Sequence, residues 1–177
     1  MLGPALKSMR PNPWVKNIFV AAPLVFARLV GDLHAVGRTA AAFGIFCLLS
    51  STVYLINDLV DVEKDRAHPV KRRRPIASGA LPPGVARALS AGLGGLALAG
   101  AAALGPGLAF LGAAAAYLVL NLLYSLALKK IAFIDVACLS GSFLLRVVGG
   151  AFAIPVPPSR WLLACTLLLS ALLGFGK

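Results

Sequence analysis

Acidic side chains are scarce in this chain: six Asp and Glu stand against 17 Lys and Arg in 177 residues. Charged residues of both signs make up 13%, about half the share of an ordinary soluble domain. Hydrophobic residues reach 59%, and mean hydropathy is +0.88. So little charge cannot cover a water-facing surface, which excludes a soluble domain and predicts a polytopic membrane protein. Cysteine is equally sparse. Cys47, Cys138 and Cys165 lie in separate apolar segments without a spacing suited to metal or redox chemistry, so they read as small core residues. A cleavable leader is not expected, because residues 1–16 are polar with prolines and the first apolar run lacks a small-residue cleavage pattern.

What the chain has instead is long uncharged runs. Residues 39–56 carry no charge and would rise about 27 Å as a helix, close to the thickness of a bilayer core. Residues 88–128 are also uncharged, and Gly105-Pro106-Gly107 divides them into two spans. The pattern predicts an all-α bundle of six transmembrane helices near 17–33, 37–56, 85–104, 107–128, 132–154 and 160–176. Gly92, Gly94, Gly95, Gly100 and the alanines at 113–116 would let helices approach closely. Trp14 and Trp161, near span starts, read as interfacial anchors.

The net charge of +11 need not mean nucleic acid. With the N-terminus in the cytoplasm, Lys7, Arg10, Lys16, Lys64, Arg66, Lys71, Arg72, Arg73, Arg74, Arg87, Lys129 and Lys130 all fall inside. Arg38 and Arg160 stay outside, His34 sits in an outer loop, and Arg28 would snorkel outward from the first span.

Four of the six acids fall in one stretch, Asn57-Asp58-Leu59-Val60-Asp61-Val62-Glu63-Lys64-Asp65. On a continuous helix Asp58, Asp61 and Asp65 share an arc of about 60°, with Asn57 beside them and Glu63 pointing away. Like charges gathered on one face resist desolvation unless divalent cations lie between them, and hard oxygen ligands suit Mg2+. Mg2+ keeps positions open for water and phosphates, and Lys71-Arg72-Arg73-Arg74 offers partners for the same anion. The competing reading is a solvated loop with local ion pairs. This polar connection, about 57–84, holds Pro69, Pro75, Pro82 and Pro83, which prevent a continuous helix. His68 within it either reaches a phosphate or is simply exposed.

A second polar group, Asn121, Tyr124, Ser125, Lys129, Lys130 and Asp135, returns to the same membrane face. Asp135 lies in an apolar segment, where an ionisable side chain is costly and turns towards the bundle interior. Arg146 follows about 20° around the helix and about 16 Å deeper, so both should face one interior. For Arg146 a structural ion or carbonyl partner is as good a reading as a substrate contact.

Asn57-Asp58-x-x-Asp61-x-x-x-Asp65, followed by Lys71-Arg72-Arg73-Arg74-Pro75-Ile76-Ala77-Ser78-Gly79, resembles the UbiA superfamily of intramembrane prenyltransferases. Arg10-Pro11-x-x-Trp14-x-Lys16-Asn17, Tyr124-Ser125-x-x-Leu128-Lys129, Asp135 and Leu145-Arg146 look like one branch, the decaprenyl-phosphate phosphoribosyltransferases. The resemblance implies about nine helices around a central cavity, so this single domain, residues 1–177, would be C-terminally incomplete. Typical prenyltransferases carry a second aspartate-rich motif, whereas this chain supplies only Asp135 there, which suits the phosphoribosyl branch.

The activity implied is Mg2+-dependent transfer of 5-phosphoribose from phosphoribosyl diphosphate to a polyprenyl (decaprenyl) phosphate, with diphosphate leaving. Asn57, Asp58, Asp61 and Asp65 would hold the metal, and Asp58, Asp61, Asp65 and Asp135 would be catalytic. Arg10, Lys16, Asn17 and His68 would bind substrate, together with Arg72, Arg74, Tyr124 and Lys129. The expected setting is a bacterial inner membrane with the site on the cytoplasmic side; no nucleic acid partner is expected, and a homo-oligomer is left open. Two other readings stand beside this one. A UbiA-type enzyme could move a prenyl group from a prenyl diphosphate to an aromatic acceptor for quinone or haem biosynthesis, and a transporter could line an ion path with Asp135 and Arg146.

Overall fold

Asp32 starts the longest helix. Its backbone is extended, and its carboxylate accepts from the amides of His34 (2.9 Å) and Ala35 (3.3 Å), satisfying donors that an uncapped helix leaves open. In the computed structural model, which describes residues 2–104, 108–126 and 132–176, the regular structure is entirely helical. Its α-helices are α1 (Leu2–Met9), α2 (Ala22–Phe26), α3 (Leu33–Val60), α4 (Val62–Ala67), α5 (Pro83–Leu104), α6 (Ala109–Leu126), α7 (Ala132–Ala153) and α8 (Arg160–Phe175). Two 3₁₀ segments, Asn12–Ala21 and Lys71–Arg73, complete the set. Helix α3 is the central post: α5, α6, α7, α1 and the first 3₁₀ segment all pack on it, while α7 also carries α6 and α8.

Among the described residues four helices, α3, α5, α6 and Ile134–Ala153 of α7, are long and apolar enough to cross a membrane, where six were expected. Helix α8 has 16 residues. The first expected span, 17–33, is instead the 3₁₀ segment followed by the short α2. Pro23 accounts for the break, since it lacks the amide an α-ladder needs at that point. After α2 the chain turns through Arg28, whose φ is 58°. Residues 12–26 still rise about 27 Å at the spacing of the two helix types, so an extended apolar segment is retained.

The core lies where α3, α5, α6 and α7 meet the 3₁₀ segment. Phe46 packs edge-on against Phe110 and Tyr117, at ring separations of 6.3 and 5.2 Å. Of the small residues expected to permit close approach, Gly94 meets Thr52 and Gly100 meets Ile45 on α3, whereas Gly92 and Gly95 face open space. The closest approach falls elsewhere, at Gly150 on α7, where an added Cβ would collide with the Val20 carbonyl oxygen. Backbone cannot step aside as a side chain can. Gly150→Ala is therefore expected to lower stability by about 3 kcal/mol, and Gly95→Ala to change it by less than about 1 kcal/mol. Thermal unfolding in detergent checks the pair; equal melting temperatures would refute the contact.

Arg38 performs a task that its reading as a cation on the outer side did not suggest. Its guanidinium donates to the Ala153 carbonyl at 2.6 Å and to the Leu104 carbonyl, closing the C-terminal ends of α7 and α5 with one positive charge.

Candidate functional site

The helix carrying the acidic stretch does not run through it unbroken. α3 ends at Val60, Asp61 leaves helical geometry (φ −91°, ψ 9°), and α4 starts at Val62. Asp58 and Asp65 nevertheless turn to the same place and are both buried, with side chains 2% and 4% exposed. Between them lies Arg74, whose Nη1 is 3.1 Å from Asp58 Oδ1 and 2.6 Å from Asp65 Oδ2. Arg10 adds a second cation, donating from Nη2 to Asp58 Oδ1 at 2.6 Å and stacking 5.1 Å over the Tyr54 ring. The loop places Arg74 by burying Ile76 and Leu81 completely against Leu55 and Ala86. Arg10 is placed by a left-handed backbone, φ 51°, at the corner after α1. Left-handed geometry at a branched-free but bulky residue is costly, and here it aims a charge at a buried carboxylate.

A cavity of about 220 Å³ opens beside this cluster. Asn57 and Ser50 line it from α3, Tyr117, Asn121 and Tyr124 from α6, Asp135 and Arg146 from α7, and Lys16 from the 3₁₀ segment. Tyr124 donates its hydroxyl to Asp135 Oδ1 at 2.6 Å. Asn57 Oδ1 is buried without a hydrogen-bond partner, an acceptor that ordinary packing would have satisfied. A broader basic groove of about 370 Å³ is lined by Asp58 together with Lys7, Arg10, Lys71, Arg73 and Arg74.

At the far end of the cavity Arg146 is 6% exposed. Its Nε donates to Asn17 Oδ1 (2.8 Å), its Nη1 to the Ser142 carbonyl and hydroxyl (2.9 and 2.8 Å), and its Nη2 to the Tyr117 hydroxyl (2.8 Å). Ser50 extends the network to Tyr117 (3.0 Å) and to Asn17 (3.3 Å), and Asn17 donates to Cys47 Sγ at 3.2 Å.

The expected residues thus divide into groups. Lys16, Asn57, Tyr124 and Asp135 share the cavity; Arg10, Asp58, Asp65 and Arg74 form the ion cluster beside it; Asn17 holds Arg146. Asp61 lies at the edge, 3.8 Å from Lys64, and Glu63 points outward to Arg66. His68 is exposed, and its Nδ1 accepts from the amides of Val70 and Lys71, so it shapes the loop. Arg72 is exposed and lines neither hollow. Lys129 lies outside the described residues. Among the described residues, no three His, Cys, Asp or Glu side chains gather closely enough to hold a metal by themselves.

Sequence reasoning did not assign Tyr117, Ser50 or Ser142. A signal for Tyr117 was present, since Tyr117, Asn121, Tyr124 and Ser125 recur at i, i+4, i+7 and i+8, a polar stripe on an apolar helix.

The profile of the UbiA prenyltransferase family matches residues 17–176. The decaprenyl-phosphate phosphoribosyltransferase of Mycobacterium tuberculosis strain H37Rv is 39% identical across 97% of this chain and 58% of its own length. That of Corynebacterium glutamicum is 37% identical across 97% of this chain and 52% of its own. The chain therefore spans between half and two thirds of these relatives. The solved structure of a UbiA homolog from Archaeoglobus fulgidus bound to DMAPP and Mg2+ superposes with a TM-score of 0.77 at 20% identity, covering 94% of this chain and 60% of that one. At that identity the likeness is one of fold.

Proposed function

The chain belongs to the UbiA prenyltransferase family, and from that premise we propose that it carries the active site of an integral-membrane, Mg2+-dependent transferase. The reaction proposed moves 5-phosphoribose from phosphoribosyl diphosphate to a polyprenyl phosphate, on the cytoplasmic face of a bacterial inner membrane. Relatives at 37–39% identity are named decaprenyl-phosphate phosphoribosyltransferase, which supports this reading. One observation carries the choice of donor: two cations, Lys16 and Arg146, stand in the wall of the cavity beside the acidic stretch, among apolar side chains such as Val53, Leu139 and Phe143. A sugar phosphate suits such a lining. An isoprenyl tail would lie against buried charge and hydroxyls.

The donor set fits Mg2+, since Asp58, Asp65 and the unpartnered Asn57 Oδ1 offer hard oxygens beside a hollow where phosphates and water can complete the shell. Asn57, Asp58, Asp61 and Asp65 would hold the ion, which when bound neutralises charge growing on the departing diphosphate. The protein's own side chains do the rest. Arg74 and Arg10, already at the acids, are placed to receive phosphate oxygens, and Lys16 supplies a point charge from the opposite wall. Asp135, fixed by Tyr124, is set to orient a ribose hydroxyl. The C1–oxygen bond to diphosphate breaks and a bond from C1 to the acceptor phosphate oxygen forms. That acceptor is already an anion at neutral pH, so the transfer requires no general base.

Radiolabelled phosphoribosyl diphosphate with a purified polyprenyl phosphate is expected to give a labelled lipid and free diphosphate only when Mg2+ is present. Turnover of a prenyl diphosphate with an aromatic acceptor, and none of the first pair, would overturn the choice of donor.

A further inference from the structure

Among the described residues, Arg146 is a buried cation with no anion in contact. Four hydrogen bonds reach it, and every acceptor is neutral: the Asn17 amide oxygen, the Ser142 carbonyl and hydroxyl, and the Tyr117 hydroxyl. The rings of Tyr117 and Phe143 cover its faces at 4.7 and 5.3 Å. A guanidinium has five N–H donors, so one on Nη2 is left over. Enclosing a charge within an apolar bundle is expensive unless something compensates it, and dipoles compensate only in part. The side chain is nonetheless held rigidly from three elements, the 3₁₀ segment, α6 and α7. Such fixing suits a receptor for an anion that arrives from outside the chain.

The cavity supplies the route. Arg146 lines it together with Asn57, while Ser50, seven residues before Asn57 on α3, touches the Arg146 partner Tyr117. One hollow therefore has two polar ends about 10 Å apart along α3, an acidic end at Asn57, whose chain neighbour Asp58 lies just outside the lining, and a cationic end at Arg146. Resting on the donor proposed above, we infer that the Arg146 end binds the 5-phosphate of the phosphoribosyl donor, a phosphate monoester, while its diphosphate lies at the acidic end. A pentose with an anion on both C1 and C5 spans the two ends. A prenyl diphosphate has one anionic end and would set hydrocarbon against the guanidinium. Arg146 is thus a specificity-determining residue for a doubly anionic donor.

The test uses the purified chain in detergent, titrated calorimetrically with ribose 5-phosphate, ribose, and inorganic pyrophosphate with Mg2+. Ribose 5-phosphate should bind at least about tenfold more tightly than ribose, and Arg146→Gln should weaken it by about tenfold or more while leaving Mg2+–pyrophosphate affinity unchanged. Arg146→Lys should recover part of the loss, because it keeps the charge but not the fork. Tyr117→Phe, which retains the ring and removes one guanidinium partner, should weaken ribose 5-phosphate alone and serves if Arg146→Gln does not fold. The inference falls if ribose binds as well as its phosphate, if a folded variant loses both ligands equally, or if ribose 5-phosphate is unaffected. It also falls if dimethylallyl phosphate, a short stand-in for the lipid acceptor, displaces ribose 5-phosphate, since the site would then belong to the acceptor. Failure of wild-type Mg2+–pyrophosphate binding would instead count against the metal assignment, and the ribose 5-phosphate titration would still read the Arg146 end.

Discussion

Asp58→Asn is expected to reduce Mg2+-dependent release of diphosphate by about a thousandfold, the scale seen when one group that stabilises developing charge is removed from a water-poor site. The substitution preserves shape and one acceptor oxygen, so Arg10 at 2.6 Å and Arg74 at 3.1 Å would keep a hydrogen-bond partner. What disappears is the negative charge that the metal needs. Half-saturation should accordingly require more Mg2+, with the apparent affinity for the lipid acceptor unaffected. Asp61→Asn should do less, about tenfold, because the Asp61 side chain is 22% exposed, where solvent already screens its charge. Glu63→Gln serves as the control, its carboxylate being 80% exposed and turned to Arg66. Initial-rate measurements across a magnesium series check all three. Asp58→Asn at wild-type rate would dismiss the acidic stretch as catalytic, and Asp61 above Asp58 in effect would reverse the assignment.

The difference between Asp58 and Asp61 was not legible in the sequence. Periodicity put both on one face of a single helix, and the 60° arc holds only while the helix continues. The break at Asp61 leaves Asp65 next to Asp58 through Arg74, and Asp61 at the rim. Hydropathy found the bodies of α3, α5, α6 and α7, because runs without charge record what the bilayer demands of each segment separately. It overran at residues 17–33, where the loss of one amide at Pro23 matters more than the apolar average. Partners across the bundle were beyond reach for a different reason. Arg146 meeting Asn17, or Arg38 meeting the ends of α5 and α7, joins positions more than 60 residues apart, and which helices become neighbours depends on close approaches such as Gly150 on Val20. Asp135 and Arg146 facing one interior was legible, since both stand on one helix and 3.6-residue geometry relates them directly.

Arg74→Gln should separate the stabilising role of the ion cluster from its catalytic one. Arg74 Nη1 sits between the buried carboxylates of Asp58 and Asp65, in the kind of position a divalent ion would take. Removing it leaves Arg10 on Asp58 alone, and Asp65 faces another acid with its counterion gone. Breaking one side of a buried pair costs several kcal/mol, and because Arg74 is itself 28% exposed the low end applies, about 3 kcal/mol. Melting in detergent without divalent ions should therefore occur well below the wild-type temperature. Adding Mg2+ should reverse this. Whatever binds the folded state raises its stability as the logarithm of one plus ligand concentration over its dissociation constant, and in the variant Mg2+ no longer competes with Arg74 for the Asp58 and Asp65 oxygens. Millimolar Mg2+ should thus raise the melting temperature of Arg74→Gln more than that of wild type, while Ca2+, larger and less demanding in geometry, should do so less selectively. Activity need not follow, since a phosphate-binding arginine has been lost. An Arg74→Gln protein that melts like wild type, or one whose loss of stability Mg2+ leaves untouched, would mean that Asp58 and Asp65 do not share a cation site.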